Sequence, residues 1–180
     1  MEVAFLALDF CYLQRSLFTE SGRFPICSCE REPTLSISST AALRRLCELR
    51  DWSVTNLEAN KLLYFAQMIA LGETGRPLVK EKFQAWNLGP VLPEVYHTAK
   101  GFGDKPIKPF LFWKEGPLAA ERCENVIKKT LDEFGELSSA QLVAESHWRK
   151  GAWAKHYREG TRGIEIPNDD ILAEYRARLG

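Results

Sequence analysis

The fold of this chain is decided by the stretch from Glu58 to Gly103, EANKLLYFAQMIALGETGRPLVKEKFQAWNLGPVLPEVYHTAKGFG. It begins with a helix-forming segment that is apolar over most of its circumference. A turn rich in glycine and proline follows, then a short strand-like KFQAWN and the stiff segment LGPVLPEVYH. The stretch contains no paired carboxylates, nucleophile elbow, cluster of metal ligands or glycine-rich phosphate loop. We therefore expect a protein that acts by presenting a binding surface.

The first helix of this stretch is predicted to be the spine of the core. Thr55 and Glu58 have the spacing of a capping box, and Gly72 is a suitable residue to follow a helix that ends near Leu71. Apolar side chains cover one broad face: Ala59, Leu62, Leu63, Phe65, Ala66, Ile69 and Ala70. The opposite face carries Asn60, Lys61, Tyr64, Gln67 and Met68. We expect the wide face to pack on several neighbours and the opposite face to be polar surface.

The remaining signals predict a mainly α protein, a single compact helical domain with a small accessory β-sheet or hairpin. Short strands are expected at Phe83–Asn87 and Ile107–Trp113. Helices are expected from a cap at Ser39 or Thr40, from Pro93 to Lys100, from Pro117 to Gly135, after Ser138 and after Asn168. The last of these helices has the apolar stripe Ile171, Leu172, Tyr175 and Leu179.

Residues 1–37 differ in texture from the rest of the chain. Serines, prolines and a glycine follow an apolar start, with no sustained helical or strand period. We expect residues 1–37 to be a loosely ordered or peripheral N-terminal extension and residues 38–180 to be the folded domain.

Charge and cysteine content restrict the functional classes. The 24 basic and 24 acidic side chains balance, so no overall field favours nucleic acid. The five scattered cysteines are typical of a reducing compartment. No stretch is long and apolar enough to span a membrane, and Glu2 and Asp9 argue against a secretory signal. We expect a cytoplasmic protein without a membrane partner.

Several motifs in the correct order resemble one known family. Lys61–Gln67 reads KLLYFAQ, Thr74–Leu78 reads TGRPL, and Gly89–His97 reads GPVLPEVYH. This series resembles the Panacea, or SocA-like, antitoxin domain, also called phage-associated GepA-like. Glu145–Trp148 and Ala152–Trp153 are similar to a later family segment, although Ser146 and Ala152 replace its usual threonine and proline. The resemblance extends from about Thr40 to Tyr175 and would make residues 38–180 a Panacea domain.

The resemblance implies a role in a toxin–antitoxin pair. Family members are described as neutralising a toxin encoded beside them by direct binding. The founding member instead acts as an adaptor that delivers its toxin to a cytosolic AAA+ protease. Either role implies a cognate toxin as partner, with an AAA+ protease as a second partner in the adaptor case, and neither requires catalysis or a cofactor.

Ten side chains are the candidate partner-binding residues. Those on the polar side of the central helix could instead be a solvated face, and Trp86 and Pro90 could serve packing alone. The candidates are Lys61, Tyr64, Gln67, Trp86, Asn87, Gly89, Pro90, Tyr96, His147 and Trp153.

Two other functional classes remain as alternatives. His97 and His147 could mark an unrecognised enzyme site, but no partner at ligand spacing and no convincing nucleophile accompanies them, so no catalytic or metal site is expected. The aromatic and basic residues from Trp148 to Arg158 could bind nucleic acid as part of a phage or plasmid regulator. Interspersed carboxylates and the lack of a reading helix make specific nucleic-acid binding the weaker interpretation.

Overall fold

A computed structural model describes residues 36–113, 121–161 and 163–180 of the chain. The fold is mainly α with a small antiparallel sheet, as the sequence predicts. The α-helices are α1 (Ser39–Leu49), α2 (Asn56–Thr74), α3 (Pro93–Ala99), α4 (Glu121–Phe134), α5 (Ser139–Ser146), α6 (Ala152–His156) and α7 (Asn168–Leu179). The strands are β1 (Phe83–Trp86), β2 (Gly89–Val91) and β3 (Glu165–Ile166), and two 3-10 turns cover Lys100–Phe102 and Pro109–Phe112.

Helix α2 is the centre of the fold. Its predicted capping box is present: the Glu58 N–H donates to Thr55 Oγ1 at 3.3 Å and the Thr55 N–H donates to Glu58 Oε2 at 2.9 Å. Every residue from Ala59 to Leu71 is buried, and α1, α3, α4, α5, α7 and β2 all pack on the helix. The prediction of a central helix is confirmed, and its burial extends around the whole circumference.

Helix α2 ends one turn later than the sequence predicts. It continues to Thr74, and Gly75 ends it in the left-handed conformation with φ of 68°. Gly72 has a packing role instead, because a Cβ there would lie 2.2 Å from the Tyr175 ring of α7. The missing side chain lets α7 approach α2 closely.

The sheet has the order β2-β1-β3 and is antiparallel throughout. Strands β1 and β2 form a hairpin across the two-residue turn Asn87–Leu88, with Trp86 opposite Gly89. The predicted strand at Ile107–Trp113 is wrong. Pro109 opens a 3-10 turn there, since its fixed φ suits a turn and it lacks an N–H for a sheet ladder.

Two further helix boundaries differ from prediction, and so does the burial of one residue in the last helix. Ser38, one residue before the predicted caps, caps α1 with its side chain. Helix α7 starts at Asn168 after Pro167, and the Asn168 side chain accepts a hydrogen bond from Gln67. Leu179 is 55% exposed, while Glu174 of the same helix is buried. The predicted start of α4 at Pro117 lies outside the described residues, as do residues 1–35 of the predicted extension.

The described part of the chain begins with contacts to the loop that follows α2. Ser36 Oγ donates to the Pro77 carbonyl at 2.9 Å, and Ile37 pairs with Val79 in an isolated parallel bridge. The described helices include none with the length and apolarity needed to cross a membrane.

Candidate functional site

A cleft of about 890 Å³ lies between the N-terminal half of α2, the β1–β2 hairpin and α3. The segment that follows α6 forms its remaining side. The lining from α2 is Asn56, Leu57, Asn60 and Lys61; the hairpin gives Trp86, Asn87, Leu88 and Val91; α3 gives Tyr96 and His97; the loops give Gly103, Tyr157, Glu159, Gly160 and Thr161. Four of the ten candidate residues therefore meet in one cleft: Lys61, Trp86, Asn87 and Tyr96.

Two asparagines on α2 fix the position of α3 at the cleft. Asn60 Nδ2 donates to the Asn56 carbonyl at 2.9 Å and to Asn56 Oδ1 at 3.0 Å. Asn60 Oδ1 accepts from the Leu92 N–H at 2.9 Å, while Asn56 Nδ2 donates to the Tyr96 carbonyl. Asparagine is unfavourable in a helix without such partners. The pair of asparagines four residues apart was therefore a sequence signal that this part of α2 contacts another segment.

Lys61 is fully buried, so the expectation that it lies on a polar surface is wrong. Its Nζ donates to the Pro90 carbonyl at 2.9 Å, and the described residues place no carboxylate in an ion pair with it. Burial lowers the pKa of Lys61 from its ordinary 10.5 to about 7. Lys61 is thus a buried amine in the wall of the cleft, and burial makes it lose its proton more easily than an exposed lysine.

Gly89 makes room for this lysine. Its φ of 103° is a conformation that side chains disfavour, and a Cβ would lie 2.6 Å from Ser146 Oγ and 3.0 Å from Lys61 Nζ. Gly89 and Pro90 are therefore buried behind the cleft, where they shape the hairpin around Lys61.

Tyr64 and Gln67 are also buried, which again contradicts the predicted surface position. Tyr64 Oη donates to Glu174 Oε2 of α7 at 2.6 Å, and burial together with that carboxylate raises the tyrosine pKa. Gln67 accepts from the Val79 N–H at 2.9 Å and donates to Asn168 Oδ1 at 3.1 Å. Neither lines the cleft; they attach α7 and the loop after α2 to the central helix.

Two rows of rings flank the cleft. The first row is Trp86, Tyr96 and His97, whose successive ring centroids are 4.9 and 5.4 Å apart. The second is His147, Trp153 and Tyr157, stacked at 3.8 and 4.7 Å.

Hydrogen bonds connect the two rows. Trp153 Nε1 donates to the Trp86 carbonyl at 2.8 Å, and Tyr157 Oη donates to Asn87 Oδ1 at 2.9 Å. These contacts hold the hairpin and the loop after α6 in a fixed relation, so the cleft is largely preformed.

His147 supports the cleft from behind. Its ring lies parallel to the Trp153 indole within 2°, and its buried Nε2 has no hydrogen-bond partner among the described residues. Burial lowers the His147 pKa, and the nearby Lys61 lowers it further. His147 and His97 belong to different ring rows, and the described residues hold no group of three potential metal ligands.

The basic strip at Trp148–Arg158 is partly neutralised. Lys155 and His156 both pair with Asp170, the latter at 2.6 Å. Arg158 donates to the backbone carbonyls of Lys155 and Tyr157, which do not cancel its charge, so Arg149, Lys150 and Arg158 remain exposed cations.

Comparison with known proteins assigns the family. The model of the family "Antitoxin SocA-like, Panacea domain" matches residues 60–154, more than half of the chain. The chain belongs to this family. The match includes the hairpin, α3, α5 and most of α6, and it begins within α2 at Asn60.

One curated relative supports the assignment. Antitoxin SocA of Caulobacter vibrioides (strain NA1000 / CB15N) is 38% identical over 112 residues, which are 57% of this chain and 60% of the relative. The chain thus spans less than two thirds of the length of that relative. No solved structure is a significant match for the chain.

Proposed function

We propose that this Panacea-domain protein is a cytoplasmic antitoxin that neutralises a cognate toxin by direct protein–protein binding. Its family membership and its 38% identity to Antitoxin SocA support the antitoxin role. On this proposal the protein acts through binding and performs no catalysis.

The observation that carries the proposal is the preformed cleft, nine of whose fifteen lining residues lie in the family-matched region. The exposed side chains Leu88 (54%) and Tyr96 (37%) line it, and buried hydrogen bonds hold its walls. An aromatic and aliphatic concavity with fixed polar groups is a good receptor for a protruding segment of a partner. Preorganised walls reduce the ordering cost of association.

Co-expression with the adjacent open reading frame tests the proposal. The neighbouring product alone should arrest growth, and the present protein should restore growth and co-purify with that product. Arrest that persists despite abundant folded protein would refute neutralisation.

Protease delivery is the alternative route to neutralisation, and the same cells distinguish it. Simple sequestration leaves the toxin at constant abundance in a stable complex. Delivery to an AAA+ protease lowers toxin abundance only while that protease is active, so deleting the protease gene should abolish rescue.

A further inference from the structure

Lys61 is a buried amine whose protonated form has no carboxylate partner among the described residues. Its ammonium has three N–H donors, and one of them binds the Pro90 carbonyl. The nearby amide oxygens serve other donors: Asn60 Oδ1 binds the Leu92 N–H, and Asn56 Oδ1 binds Asn60 Nδ2. Buried charges in proteins are normally paired, so this one is suited to a partner that the free chain lacks.

We infer that the cleft receives an acidic side chain of the neutralised toxin and that Lys61 Nζ binds its carboxylate. The inference deepens the proposed function by naming the chemistry that the cleft recognises. It depends on the proposed function only for the identity of the protein that carries the carboxylate.

The charges beside the cleft favour an acidic ligand. Gly103 lines the cleft and lies within the segment 100–108, which carries three exposed lysines and one aspartate. Of the lining residues, Glu159 is the carboxylate, and it is exposed to solvent. A segment with negative charge would thus meet a lysine in the wall and approach a chain segment in which lysines outnumber carboxylates.

The burial of Lys61 restricts which ligands can reach its amine. The lysine has no surface open to solvent in the free chain, so a carboxylate reaches Nζ only after side chains in the wall move apart, within the backbone framework that the hydrogen bonds hold. Leu88 and Val91, both on the hairpin, are the apolar members of the lining closest in sequence to the Pro90 carbonyl. The Coulomb attraction within an ion pair formed there is screened less by water than in a surface pair, although both charges must first lose their hydration.

Binding of a carboxylate should therefore be coupled to proton uptake. Lys61 is largely neutral at pH 8 because its pKa lies near 7, and a bound carboxylate favours the protonated form. The other titratable groups that line the cleft are Tyr96, His97, Tyr157 and Glu159, and His147 approaches Lys61 from α5. Replacing Lys61 removes the lysine contribution and leaves these groups in place.

A peptide titration tests the inference without the toxin. The probe is a capped pentapeptide with one glutamate between leucines; the controls are its glutamine analogue and that analogue with a free C-terminal carboxylate. We expect the capped glutamate peptide to shift the NMR resonances of the Lys61 ε-methylene and raise its pKa, and to bind at least roughly tenfold more tightly than the capped glutamine peptide.

Two peptide results would contradict the inference. Equal responses to the capped glutamate and glutamine peptides, or no response at millimolar peptide, would exclude a carboxylate site. A response confined to the peptide with a free C terminus would assign the site to a chain end and overturn the side-chain proposal.

Calorimetry with the product of the adjacent reading frame tests whether Lys61 binds a carboxylate of the toxin itself. At pH 8, buffers of different ionisation enthalpy should reveal uptake of up to about one proton per complex, absent in Lys61→Met and retained in the control Lys80→Met. Lys80 is exposed and does not line the cleft. Binding without lysine-dependent uptake would refute the inference and leave neutralisation intact, whereas absence of binding would refute the proposed function and leave the peptide result standing.

Discussion

At the residue scale, Lys61 is the most consequential side chain. A lysine whose pKa falls from 10.5 to about 7 on folding binds its proton more tightly in the unfolded chain. Between these two values the free energy of unfolding must rise with pH, and below about pH 7 this contribution is flat. The range from pH 7 to 9 is the informative one. Above pH 9 the buried Cys47 thiol, whose pKa is raised, makes the free energy of unfolding fall as pH rises, which opposes the lysine effect.

The resulting prediction concerns Lys61→Met. From pH 7 to 9 the wild-type free energy of unfolding should gain about 2 kcal/mol more than that of the variant in urea titrations. The variant should also be at least as stable as the wild type at pH 6, where burial of the charge costs most. Lys80→Met, which removes an exposed lysine, should keep the wild-type slope. If the free energies of unfolding of wild type and Lys61→Met change equally with pH, folding does not lower the pKa of Lys61.

The polar side chains of α2 also show what sequence could and could not predict. The capping box at Thr55 is a local signal, and it was predicted correctly. The burial of Lys61, Tyr64 and Gln67 was missed because their partners are distant in sequence: Pro90, Glu174, and Val79 with Asn168. A helical wheel identifies a polar face and cannot show that another element covers it.

At the element scale, the contact between α2 and α7 depends on Gly72. Gly72→Ala would place a methyl group 2.2 Å from the Tyr175 ring, so the ring or α7 must shift. Helix propensity alone would favour alanine. We expect a net loss of roughly 1–3 kcal/mol in chemical denaturation, the usual cost of overpacking.

Gly101→Ala is the matched control for this contact, because a Cβ at Gly101 meets no atom of the described residues within 4 Å. It should leave stability within about 0.5 kcal/mol of wild type. A Gly72→Ala protein as stable as the wild type would mean that α7 packs less closely than described.

Other elements also show which parts of the fold a local sequence pattern can predict. Pro93 correctly predicted the start of α3, since proline suits the first turn of a helix. The apolar run around Phe110 suggested a strand, but the second and third strands are Gly89–Val91 and Glu165–Ile166. These are too short to be detected by alternation, and their pairing with β1 is what defines them.

At the scale of the whole molecule, the balanced charge predicts weak binding to nucleic acid. The exposed cations Arg149 and Lys150 remain on the strip at Trp148–Arg158, while Lys155 and His156 pair with Asp170. We expect binding to the promoter fragment of its own gene to be non-specific and salt-sensitive, with a Kd of roughly 10⁻⁴–10⁻⁶ M in gel-shift titrations. A tight, specific shift at physiological salt that Arg149→Ala with Lys150→Ala abolishes would favour the regulator alternative.

The cleft brings together most of the predicted binding residues. Eight of the ten predicted binding residues line it or lie directly behind it, although the sequence did not indicate which elements would meet. Their role in binding stays a prediction. The claim that follows is that toxin binding is localised to this side of the protein.

The most direct measurement compares toxin affinity in two charge insertions of matched exposure. Leu88→Glu places a carboxylate at the cleft, and Leu179→Glu places one at a similarly exposed leucine at the end of α7. If the cleft binds an acidic segment of the toxin, Leu88→Glu should weaken binding by at least about tenfold in calorimetry while Leu179→Glu retains wild-type affinity. Equal affinity for all three proteins, with unchanged folding, would contradict the assignment of the toxin-binding site to the cleft.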